Sequence, residues 1–94
     1  MSETTKLAEF AAKITYGSLP KEVVERAKFL IMDTIGISVR AMHDSESTPA
    51  LIAACDAMGY AGGTSKVIGS TQTYSAPGAA MINGTLAHSL DFDD

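Results

Sequence analysis

The sequence predicts an all-α fold, a bundle of about four helices. Three observations predict it. Apolar residues recur at helical rather than alternating spacing over most of the chain. Helix-entry signals, Ser or Thr one or two residues before a Pro, stand before three of the apolar stretches. Only one short segment, Lys66-Val67-Ile68, reads as a strand.

In the first helix Leu7, Phe10, Ala11 and Ile14 form one stripe. Ser2 or Thr4 is positioned to cap it, and Gly17 to stop it. The second helix opens at Pro20, with Glu22 near the positive end of the helix dipole. Val23, Val24, Ala27, Leu30, Ile31, Thr34, Ile35, Ser38 and Ala41 carry it for about six turns. Beyond Lys28 its flanks turn apolar, which predicts burial on several sides. Asp33 lies in that stretch and is expected to be held by a neighbouring element. Gly36 costs about 1 kcal/mol in mid-helix relative to Ala, a cost that close approach of another backbone would offset.

Residues 43–48 read as a polar loop, with Thr48-Pro49 capping and opening a third helix that ends at Gly59. A long connection rich in Gly and hydroxyls follows over residues 60–75. So little regular structure in a compact domain marks a functional segment or one that packs on something else. Ser75-Ala76-Pro77 opens the fourth helix, whose side chains are mostly small: Ala79, Ala80, Asn83, Ala87, with Ile82, Leu86 and Leu90.

The chain has 94 residues, 46% hydrophobic and 19% charged, and a net charge of −4. This composition is too apolar for a disordered chain, and the length suits one small domain. The acidic balance argues against nucleic acid as a partner. No apolar run approaches the roughly 20 residues that cross a bilayer, and residues 1–6 lack a signal core. A soluble, cytoplasmic protein without a membrane partner is expected. The single cysteine, Cys55, excludes an intrachain disulfide and reads as a small buried apolar group.

Reactive groups crowd only the last residues. His88 and Asp91, three apart, project from one side of a helix. Asp91, Asp93 and Asp94 lie close enough to resist full ionisation together. A carboxyl beside an imidazole is an acid/base pair, although acidic groups at a helix C-terminus often simply face water. His88, Asp91, Asp93 and Asp94 also offer nitrogen and oxygen donors to a divalent cation, but they lack the spacing of a calcium loop or a zinc helix. No metal and no cofactor is expected.

The stretch Asn83-Gly84-Thr85-Leu86-Ala87-His88-Ser89-Leu90-Asp91-Phe92-Asp93-Asp94 resembles the signature of the MmgE/PrpD family. Leu7-Ala8-Glu9-Phe10-Ala11, the Leu19 to Lys28 stretch and Met32-Asp33-Thr34-Ile35-Gly36 resemble that family's opening helices. The resemblance covers essentially all of residues 1–94, as the N-terminal part of the family's large helical domain, with the smaller lid domain absent. It implies cofactor-independent lyase or isomerase chemistry on small polycarboxylates. Dehydration of a 2-methylcitrate-like substrate is the default, followed by decarboxylation of cis-aconitate or epimerisation of iminodisuccinate. Asp91 falls at the family's active-site aspartate and His88 flanks it, so both are the candidate catalytic residues. No substrate-binding residue is identified.

Family members are several times longer and dimerise. The signature normally continues into a Thr and a nearby His, and other active-site residues lie further on. The 94-residue chain by itself is therefore expected to be inactive, and to form a homodimer or associate with the rest of the enzyme. The rival expectation is a small non-catalytic helical module that docks on a partner.

Overall fold

The computed structural model describes residues 2–90. Among these it has four α-helices and a two-stranded antiparallel sheet: α1 (Glu3–Lys13), α2 (Lys21–Asp44), α3 (Ser47–Ala57), β1 (Ala61–Lys66), β2 (Thr73–Tyr74) and α4 (Ala76–Ser89). The expected helical class holds. The chain divides into two compact units, residues 1–30 and 31–94, with the boundary inside α2.

In the first unit, Ser2 caps α1 by accepting a hydrogen bond from the Thr5 amide at 3.1 Å. Past Ile14 the chain turns through Tyr16–Ser18. There Thr15 and Ser18 accept from each other's amides at 3.2 and 3.0 Å, a reciprocal cap. The Pro20 carbonyl then accepts from Val23 and Val24, starting α2. None of the described residues of this unit is buried. Leu7 and Phe10 of the α1 stripe remain 69% and 66% exposed. With Ile14, Leu19, Pro20 and Val23, Phe10 lines an open apolar groove of about 650 Å³.

The second unit holds the core: Ala41, Cys55, Val67, Tyr74, Ala79, Ile82 and Leu86. Cys55 is fully buried and unpaired, as its apolar reading requires. Three sequence expectations change here. First, α2 runs on through His43 and Asp44, so the loop of residues 43–48 shrinks to Ser45 and Glu46. Thr48 does not cap α3. Its hydroxyl donates to the Ala41 carbonyl at 2.8 Å, a second donor beside the Ser45 amide at 3.1 Å, and so ties α3 to the last turn of α2 inside the core. Second, Asp33 is exposed rather than held, and a Cβ at Gly36 would meet nothing within 4 Å. The apolar flanks of mid-α2 face outward among the described residues, with Ile31 and Met32 above 60% exposed. Third, the strand candidate at residues 66–68 overlaps β1 only at Lys66.

The hairpin explains the third change. β1 pairs with β2 through Ala61–Tyr74 and Lys66–Thr73, with an irregularity between Ala61 and Ser65. At that break Gly62 has φ +83°, and a Cβ on Gly63 would collide with the backbone of Tyr74 and Ser75. Glycine permits both the turn of the backbone and the close approach. A strand built on Gly-Gly-Thr-Ser carries little β-propensity, so the alternation signal that marks strands is absent from it.

Glycine also stops α3 as expected. Gly59, at φ +79°, donates to the Asp56 carbonyl at 3.1 Å, and Tyr60 donates to the Cys55 carbonyl at 3.0 Å. This paired termination is the Schellman arrangement. Ser75 caps α4, accepting from the Gly78 amide at 3.3 Å. α4 packs on α3, β1 and β2, burying Gly78, Ala79, Ile82 and Leu86.

Candidate functional site

α4 is the element that carries the candidate site. Its small residues allow close packing, and its core face rests on Ile82 and Leu86, both fully buried. The opposite side presents Ala80, Met81, Gly84, Thr85 and His88. With Ser47 at the start of α3 and Ser89, these line an open groove of about 620 Å³. A neighbouring groove of about 460 Å³, bounded by Asp44, Ser45, Glu46, Ser47, Ser89 and Leu90, shares Ser47 and Ser89 with it.

His88 stands in the last turn of α4, exposed and on the wall of the first groove. Asp91, Asp93 and Asp94 lie outside the described residues, so the pairing of His88 with Asp91 has no measured geometry. Three of the four donors weighed for a cation fall outside in the same way.

The groove's hydroxyls have defined roles. Thr85 donates to the Met81 carbonyl at 2.8 Å, and Ser89 donates to the Thr85 carbonyl at 2.7 Å. Ser45 and Ser47 share a hydrogen bond at 3.0 Å. With their protons turned to the helix, Thr85 and Ser89 present lone pairs to the groove. Without a Lys or Arg among its described residues, the wall lacks the charge-assisted donors that hold a carboxylate most strongly. Three of the seven basic residues form exposed ion pairs at 3.4–3.6 Å: Lys6 with Glu3, Lys28 with Glu25 and Arg40 with Asp44.

One ionisable group in the core departs from its ordinary state. Burial pushes the Tyr74 phenol above its usual value of 10.0, and the negative charges of Asp56 and Cys55 push the same way.

Sequence reasoning gave Asn83 no contact and read Thr48 as an N-cap rather than as a buried donor to α2. The Asn83 carboxamide oxygen accepts from the Ile68 amide at 2.9 Å, and its nitrogen donates to the Lys66 carbonyl at 3.1 Å. The available signal is a lone amide on an otherwise apolar helix, four residues after Ala79. That signal is too common to single out a contact.

Comparison with known proteins completes the picture. The chain matches the MmgE/PrpD N-terminal domain over residues 5–94. It is 28% identical over 93 residues to the cis-aconitate decarboxylase-like protein oryM of Aspergillus oryzae. The alignment takes in 97% of this chain and 18% of that protein, so the chain spans under a fifth of the relative's length. No solved structure matches it. With residues 5–94 inside the domain match, this chain belongs to the MmgE/PrpD family.

Proposed function

We propose that this chain is the N-terminal part of the helical domain of a cofactor-independent lyase or isomerase acting on small polycarboxylates. A 2-methylcitrate dehydratase-like elimination is the leading activity. The domain match over residues 5–94 carries this reading. The exposed His88 on a groove wall supports it.

In this reading Asp91 removes or delivers a proton at the carbon next to a substrate carboxylate. His88 is the neighbouring group that shares that proton. Such a positioned base contributes roughly 10²–10⁴-fold to rate. The developing enolate-like charge needs preorganised cations or donors, and the groove wall carries no Lys or Arg among the described residues. Chain beyond residue 94, or a second copy, is the proposed source. The decarboxylase-like name of the Aspergillus relative favours keeping decarboxylation of cis-aconitate as the second activity.

The test is turnover by the full-length protein on 2-methylcitrate, cis-aconitate and iminodisuccinate. Asp91→Asn is expected to lower kcat by about 10²–10⁴-fold on the true substrate. Wild-type turnover in that variant overturns the assignment. The exposed apolar stripe of α1 favours a rival reading, a docking module, which predicts no turnover on any of the three.

A further inference from the structure

We infer that Asn83 is a positioning residue, which locks the rotation of α4 and thereby the place of His88 on the groove wall. The inference rests on the functional reading above for its kinetic part and on geometry for the rest.

The carboxamide of Asn83 forms a two-point bridge. Its oxygen takes the Ile68 amide proton at 2.9 Å, and its nitrogen gives a proton to the Lys66 carbonyl at 3.1 Å. The two partners lie two residues apart, where β1 ends and the connection toward β2 begins. Flipping the amide would set donor against donor and acceptor against acceptor, so only one orientation satisfies both. The bridge also meets a backbone need. Ile68 is past the end of β1, so its amide gets no ladder partner and takes the side-chain oxygen instead.

The rest of the α4 interface explains why a directional contact matters. Gly78, Ala79, Ile82 and Leu86 make up its buried face, and only the last two are large. Apolar contact is non-directional, and small residues give few ridges to resist rotation. Two hydrogen bonds to a fixed backbone resist it directly. His88 follows Asn83 by five positions, about 140° around the axis at 100° per residue. It therefore moves along the arc that the bridge restrains. At a side-chain radius of about 5–6 Å, a 10° rotation carries the imidazole about 1 Å. A misplacement of that size costs about 10²-fold in rate.

The experiment compares full-length wild type with N83A and N83D. N83D keeps the acceptor for Ile68 and sets an oxygen against the Lys66 carbonyl, so it breaks one bond of the bridge and keeps the other, a second variant should N83A fold poorly. Hydrogen–deuterium exchange is read over residues 66–69 and 86–90, and kinetics on whichever polycarboxylate the wild type consumes. In N83A, exchange is expected to rise by about tenfold or more in both segments, with kcat down by about 10²-fold and KM nearly unchanged. N83D is expected to fall between. Unchanged exchange over residues 86–90 overturns the anchoring. Raised exchange with unchanged kcat overturns the positioning of His88. A wild type inactive on every polycarboxylate defeats the functional reading alone, and exchange over residues 86–90 then decides the anchoring.

Discussion

Thr48 shows how one side chain joins two elements. Its hydroxyl reaches seven residues back to the Ala41 carbonyl and is itself buried. Thr48→Val keeps the shape and removes one of two donors to that carbonyl, which retains the Ser45 amide at 3.1 Å. The expected loss is about 0.5–1.5 kcal/mol, measured as a lower urea midpoint with unchanged slope. Tyr74 supplies the pH dependence. Its phenol is held in the neutral form by burial, then by Asp56 and Cys55. A raised folded-state value means that the contribution is complete below the unfolded value of 10.0 and fades as pH rises through the folded value. Stability of the second unit is therefore expected to fall on the alkaline side of pH 10, and Tyr74→Phe to flatten that fall. A Tyr74→Phe profile identical to wild type would contradict it. Neither role was visible in the sequence. Thr48 before Pro49 carries the marks of an N-cap, and a tertiary acceptor outcompeted the local one.

At the scale of elements, the entries of α1 and α4 and the exit of α3 were legible, while the end of α1 (Lys13, not Gly17), the join of α2 to α3 and the hairpin were not. Ser2 and Ser75 cap where their position before apolar periodicity says they should, and Gly59 stops α3 in the left-handed conformation. These signals are local, so a one-dimensional reading captures them. The end of α2 was misread because His43 and Asp44 look like loop residues. Instead Asp44 pairs with Arg40 one turn back at 3.4 Å, which suits helix continuation. The hairpin escaped notice because its pairing depends on what glycine lacks. Gly63→Ala places a methyl into the backbone of Tyr74 and Ser75. It is expected to cost about 1–3 kcal/mol and to loosen amide protection across β1. Gly17→Ala, with nothing within 4 Å of its Cβ, is the matched control and is expected to leave the hairpin untouched. Of the candidate site, the sequence carried the residues and the family motif. It did not carry the orientation of α4, because that rests on Asn83 meeting a backbone fifteen residues away.

Across the whole molecule the apolar content is unevenly used. The second unit closes a core around Ile82 and Leu86, while the described residues of the first bury none of theirs. Exposed apolar side chains such as Leu7, Phe10, Phe29 and Leu30 favour association with other apolar surface. The isolated 94-residue chain is therefore expected to bind hydrophobic dyes, to self-associate and to melt over a broad range. A sharp monomeric two-state transition would speak for the docking module instead. The burial of Cys55 has a practical corollary. With no Trp in the sequence, this domain lacks a tryptophan reporter, but it holds one thiol sealed at zero exposure. A thiol reagent can reach that sulfur only when the surrounding layer parts. The labelling rate under native conditions thus serves as a clock for opening of the second unit, and its dependence on denaturant separates local breathing from full unfolding.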